Sequence, residues 1–208
     1  IVKIANAGYD ASGYLWSLIF EQLSASQHWE IVFNGIKLPL LKGNLRVFYL
    51  DFVNCKFINN RQSELKHTFD SDIGIKLLEQ WLRSKDPGKY SYAQSATTAL
   101  PFISNPAQSR LLIVAQNHPS AKVNIESAWA LVKVGDVENG IPLLQKWALN
   151  PCYSKMATML LKELDFQEKI PEKAKENDFI ALVEMASWLS HPAEYGEPPE
   201  KIEILDKR

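Results

Sequence analysis

The sequence has only two cysteines in 208 residues, Cys55 and Cys152. Two cannot build a disulfide framework, and neither stands in a CxxC pair or a Cys/His cluster of zinc-ligand spacing. The composition therefore suits a reducing compartment, and a cytoplasmic location is expected. Long apolar runs are also missing. None approaches the roughly 18 residues that span a bilayer, and no signal peptide is visible, so no membrane partner is expected. An excess of one charge is lacking as well: 23 Lys and Arg stand against 24 Asp and Glu, a formal net charge of −1. Nucleic-acid binders draw affinity from Lys and Arg on phosphates, so this balance argues against that class. The four histidines, His28, His67, His118 and His191, lie far apart in the sequence. HExxH and GxSxG are absent. The stretch from Gly8 to Gly13 has neither a P-loop Lys-Ser/Thr nor GxGxxG spacing. No catalytic, cofactor-binding or metal-ligating residue is assigned, and no cofactor or metal is expected.

What is present is a globular composition, with 46% apolar and 23% charged residues. Ile1 in place of an initiator Met reads as a piece of a longer protein. The charge balance hides an asymmetry. Residues 1–84 carry 9 basic and 8 acidic side chains, residues 85–170 carry 9 and 7, and residues 171–208 carry 5 and 9. Glu194, Glu197, Glu200, Glu203 and Asp206 surround Pro198-Pro199. Consecutive prolines forbid a continuous helix, so residues 193–208 read as an acidic, proline-rich connector or tail.

Residues 1–84 read as a mixed helix and β segment. Asp10-Ala-Ser12 precedes Tyr14, Leu15, Leu18, Ile19 and Leu23, a helix beginning near Ser12. Trp29 to Phe33, then Asn34-Gly35, then Ile36 to Leu40 reads as a hairpin, because Asn-Gly tolerates the positive φ of a type I′ turn. Pro39 places its strand on an edge. Between Leu45 and Asn59, Leu45, Leu50 and Cys55 form one column of a five-residue period, and Val47, Phe52 and Phe57 form another. This spacing resembles a pentapeptide repeat, which implies a quadrilateral β-helix; the other reading is a plain β-meander. Both make the segment β-rich. Asp70-Ser71 then offers an N-cap to a helix through Ile73, Leu77, Leu78, Trp81 and Leu82.

Residues 85–192 read as repeated helix pairs. A shift of 32 residues aligns Ala96 with Ala128, Leu111 with Leu143, Leu112 with Leu144 and Pro119 with Pro151. In the sharpest unit, one helix runs through Ile125, Ala128, Leu131 and Val132 and stops at Gly135, a left-handed terminator. Asp136 caps the next helix, which buries Ile141, Leu144 and Ala148 before Asn150-Pro151. Small Ala128 lets the two helices approach. The 92–119 unit puts Asn105-Pro106 where Gly-Asp would stand. The third runs from Pro151 through Met156 to Leu164, meets Ile170-Pro171, and takes Asp178 as the cap of a second helix through Leu189 to His191-Pro192.

Ala128, Leu131, Gly135, Asp136, Pro142 and Leu144 make this unit resemble a HEAT-like repeat of the phycobilisome-lyase type. The resemblance covers about half the chain and implies a mainly α fold, a HEAT-like α-α superhelix after a small β-rich N-terminal segment. It implies a non-enzymatic scaffold for a protein partner, since solenoids offer long curved faces. It also admits a phycobilin lyase-like role in handling a chromophore. The tail from His191 resembles segments that follow such repeats in larger bacterial proteins, and a β-rich piece beside helical repeats resembles the sensor region of signalling NTPases. Second helices of such solenoids line the concave side, which makes Gln145, Lys146 and Trp147 candidate binding residues. Trp129, in the same unit, reads as packing between repeats. Cys152, after Pro151 at a helix start, is the more reactive thiol on this reading. His118 and His191, each before a proline, read as exposed turn residues.

Overall fold

The computed structural model describes residues 1–9, 13–59 and 65–190. The fold is mainly α, with eleven α-helices and no strand among the described residues. They are α1 (Val2–Asn6), α2 (Gly13–Ala25), α3 (Trp29–Gly35), α4 (Leu45–Asn59), α5 (Asp72–Leu82), α6 (Tyr90–Ala99), α7 (Gln108–Gln116), α8 (Ala121–Lys133), α9 (Val137–Ala148), α10 (Ser154–Glu163) and α11 (Asn177–Leu189). The chain divides into two compact units, residues 1–123 and 124–208, with the division falling inside α8. The Asp10-Ala-Ser12 cap and the 193–208 connector lie outside the described residues.

The β-rich start is not what forms. The expected strand from Trp29 to Phe33 is helix α3, and Ile36 to Leu40 passes through a short 3-10 turn at Leu38–Leu40. Gly35 is not among the glycines with positive φ, so no type I′ turn exists there. Asn6 supplies what a hairpin ladder would have supplied. Its side-chain amide donates to the Gly35 carbonyl at 2.9 Å, and its carbonyl oxygen accepts from the Lys37 N–H at 2.8 Å. A clamp from thirty residues away closes the end of α3, and local Asn-Gly preference loses to it.

The five-residue columns are likewise overturned: Leu45 to Asn59 is one helix, α4. Its aromatic and β-branched content favours strands, but α4 is surrounded. Leu45, Val47, Tyr49, Leu50, Phe52, Val53, Asn54 and Lys56 are all buried, on more than one side of the helix. A helix covered nearly all round has no single apolar stripe, so its 3.6-residue period disappears from the sequence.

Three polar side chains on α4 are buried and each donates to a backbone carbonyl of a different helix. Tyr49 Oη reaches Phe33 O at 3.0 Å, Asn54 Nδ2 reaches Ser95 O at 2.9 Å, and Lys56 Nζ reaches Ser24 O. Phe33 and Ser24 lie in the last turns of α3 and α2, where carbonyls have no intrahelical partner. Lys56 also lies 5.0 Å over the Trp29 ring. Burial pushes the Tyr49 phenol up to about 12. Around them, Phe20 meets Phe52 at 5.2 Å and Tyr49 at 6.1 Å, and Tyr49 meets Phe69 at 6.3 Å.

His67 extends this network. It is 2% exposed, its Nε2 pairs with Asn54 Oδ1 at 3.1 Å, and its Nδ1 accepts from the Phe69 N–H at 3.3 Å. That arrangement requires the neutral ring with the proton on Nε2. Phe57 sits edge-on at 4.9 Å, and burial pushes the imidazole down to about 3. Downstream, Ser71 caps α5 as expected, accepting from Gly74 N at 3.3 Å. Gly74 is required there, because a Cβ would fall 2.3 Å from Phe69 O. Glu79 on α5 receives Arg110 from α7 and Arg83 at 2.9 Å, which holds its carboxyl down at about 2.

In residues 124–208 the expected helix pair is present. After α8, Gly135 adopts φ +97°. Its N–H donates to Val132 O at 3.0 Å and that of Asp136 to Leu131 O at 2.9 Å, a Schellman closure. Asp136 stands at the N-cap of α9, but its carboxylate takes the Asn139 amide instead of a backbone N–H. Ala128 is fully buried, and Gly140 completes the close approach it was expected to permit: a Cβ there would fall 2.7 Å from Ala128 O. The same closure recurs thirty residues on. Asp165 N donates to Lys162 O and Phe166 N to Leu161 O, with Asp165 at φ 63°. Trp129 Nε1 donates to Glu163 Oε1 at 3.1 Å and joins α8 to α10.

Four expected outcomes follow. Nothing lies within 4 Å of a Cβ on Gly135, so Gly135→Ala should lose about 1 kcal/mol through backbone strain alone, whereas Asp165→Gly should gain up to about 1 kcal/mol; urea denaturation reads both. Tyr49→Phe leaves the Phe33 carbonyl unpaired and should cost about 1–3 kcal/mol in the same assay. For His67, the folded value of about 3 lies below the unfolded value near 6.5. The unfolded chain then binds the extra proton between those values, so stability is full above pH 6.5 and falls toward pH 3. His67→Gln should flatten that slope in denaturation midpoints measured at successive pH values.

Candidate functional site

The three residues singled out on α9 are consecutive, so they point about 100° apart around the helix and do not form one surface. Gln145 is half-buried and donates to Lys169 O at 2.8 Å. Lys146 is exposed. Trp147 is half-buried, with its ring edge-on to Tyr153 at 5.3 Å. Two of the three therefore hold α9 to the segments that follow it. Trp129 is 2% exposed and belongs to the core, as its packing role requires.

Two other expectations change. Cys152 lies two residues before α10, and burial raises its thiol pKa instead of a helix end lowering it. His118 is 5% exposed and no exposed turn residue; its Nδ1 accepts from Ser120 N at 3.0 Å and its ring lies 4.8 Å from Tyr90. Burial lowers its pKa, partly offset by a backbone hydrogen bond with Ser84. His191 lies outside the described residues. Among the described residues, no three His, Cys, Asp or Glu side chains converge as a metal site would need, and no helix is long and apolar enough to cross a membrane.

The residues that do form a concavity were not singled out from the sequence. A groove of about 270 Å³ lies between α2 and α4. Its floor is the nearly fully buried Phe20 and Phe52 with half-buried Phe48 beside them, and Glu21 from α2 and Asp51 and Cys55 from α4 line its walls. Helix periodicity makes this set: Ser17, Glu21 and Ser24 recur every turn on one helix, and Phe48, Asp51, Phe52 and Cys55 on the other. The signal available in the sequence was Asp51 itself, the one acidic residue within the apolar stretch from Leu45 to Ile58. Although Asp51 as a residue stays open to water, its low-polarity surroundings push the carboxyl up to about 6, and a hydrogen bond with the Ser95 side chain offsets part of this. Cys55 Sγ accepts from Asn59 Nδ2 at 3.4 Å.

A second groove, of about 340 Å³, lies where α5 and α7 end, with Arg83, Lys85, Ile113 and His118 among its lining. Helix C-terminal carbonyls attract cations, and Arg83 is also held by Glu79, so this basic lining is accounted for by the helix ends.

Comparison with protein-family models, with curated proteins and with solved structures finds no match to this chain.

The raised Asp51 value has a definite sign. The folded chain holds its proton up to about pH 6 while the unfolded chain releases it near 3.8, so ionisation of Asp51 costs stability as pH rises through that window. Asp51→Asn should therefore raise the urea midpoint at pH 8 and leave it nearly unchanged at pH 4, with solvent screening keeping the gain small.

Proposed function

We propose that the chain is a non-enzymatic protein-interaction scaffold built from HEAT-like helix pairs. The observation that supports this reading is apolar surface on the outward sides of two helices that are also apolar inside. On α2, Trp16 and Phe20 are buried, while Tyr14, Leu15 and Leu18 are 77%, 47% and 38% exposed. On α11, Phe179, Val183 and Ala186 are buried, while Ile180, Met185 and Trp188 are 44%, 49% and 59% exposed. Helices that are apolar all round are normally covered, and clustered exposed apolar side chains mark surfaces of association. An exposed Trp with neighbouring aliphatic groups is also the composition in which binding energy concentrates.

The test uses the intact chain as bait, beside Leu15→Glu/Leu18→Glu and Ile180→Glu/Trp188→Glu variants whose helicity and melting temperature are checked first. At least one variant should lose about tenfold or more of a partner that the unmodified chain retains. Retention of no partner, or equal retention by all three proteins, would overturn the scaffold reading.

A further inference from the structure

We propose that the groove between α2 and α4 receives a basic amphipathic helix of a protein partner, seating an apolar side chain on the phenylalanine floor and a Lys or Arg between Glu21 and Asp51. This rests on the scaffold reading and names the chemistry of one partner surface. Charge comes first. Glu21 and Asp51 are the only charged side chains lining the groove among the described residues, and they stand on opposite walls. The two basic residues nearest Asp51 in sequence are already engaged, Arg46 on the Leu41 carbonyl at 2.8 Å and Lys56 on the Ser24 carbonyl and the Trp29 ring. Among the described residues the groove thus has two carboxylates, no cation and aromatic side chains, the combination that binds an ammonium or guanidinium on an apolar stem.

Shape selects the occupant. The walls run from Ser17 to Ser24 and from Phe48 to Cys55, each about 10 Å or two helical turns long. A groove of about 270 Å³ running along two helical turns suits an occupant that lies along it and points groups from successive turns into it. A helix presenting residues at i and i+4 does this. No sheet edge exists among the described residues for an extended peptide to join. The exposed Tyr14 and Leu18 continue along the same helix beside Glu21 and give the occupant's apolar face more to cover. The carboxyl of Asp51 gains from an arriving cation because its surroundings otherwise disfavour its charge.

The probe is a short synthetic helix of leucine and lysine in amphipathic register, with its glutamate-for-lysine counterpart as the control. Fluorescence anisotropy measures binding to the full chain, and the alkylation rates of Cys55 and Cys152 report where the peptide sits. The cationic peptide should bind at least about tenfold tighter than the acidic one and slow the alkylation of Cys55 while leaving that of Cys152 unchanged. Glu21→Gln/Asp51→Asn should remove about tenfold of that affinity, and Met159→Glu, at an exposed α10 position outside both surfaces, should remove none. Unaltered Cys55 alkylation, or full affinity in the double variant, would overturn the inference. If Cys55 stays unprotected while Trp188→Glu abolishes partner retention by the intact chain, the groove assignment fails and the scaffold reading stands. If no partner is retained and the peptide does not bind, both fail.

Discussion

The burial of α4 is the constraint on which residues 1–123 depend. Once this helix is covered on several sides, every polar group it carries inward must find a partner, because an unsatisfied buried group costs as much as several good contacts return. Tyr49, Asn54 and Lys56 meet that requirement by donating to carbonyls of α3, α6 and α2. The arrangement is reciprocal. Phe33 and Ser24 offer last-turn carbonyls that lack an intrahelical partner, Ser95 offers one from within α6, and α4 supplies a donor to each. His67 belongs to the same network through Asn54, and so a neutral imidazole is built into the core.

The groove follows from that packing. Phe20 and Phe52 fill the seam between α2 and α4, and at 5.2 Å their rings leave a shallow trough beside them instead of a closed core. Glu21 and Asp51 line it because each is one helical step from a buried phenylalanine. The Asp51 carboxyl and the floor beneath it are thus products of one helix period, and the electrostatics of the site derive from the geometry of the core.

Residues 124–190 are held together differently. There a glycine in the left-handed region and a small-residue seam at Ala128 and Gly140 join one helix pair, and a Trp129 to Glu163 bond, 34 residues apart in sequence, joins α8 to α10. The second closure, at Asp165, uses the same backbone hydrogen bonds without glycine. Asp tolerates the left-handed region better than most side chains, which is why the repetition is visible in the backbone but not in the amino-acid pattern.

The contrast shows what sequence by itself determined. Gly135, Ala128, the buried row Ile141, Leu144 and Ala148, and the Ser71 cap could be read directly, because each acts within one helix, at its end, or across one pair of consecutive helices. The mainly helical character was legible for the same reason. Tertiary structure alone decided the state of residues 29–59. Asn34-Gly35 and the aromatic columns carry a genuine local preference for strands, but the Asn6 clamp and the enclosure of α4 come from residues far away in the chain. The candidate site divides in the same way. Lone Asp51 in an apolar run was visible, whereas its pairing with Glu21 across a phenylalanine floor required two helices to meet. Local hydrogen bonds and steric limits are written in adjacent residues; burial on several sides is a property of the assembled fold.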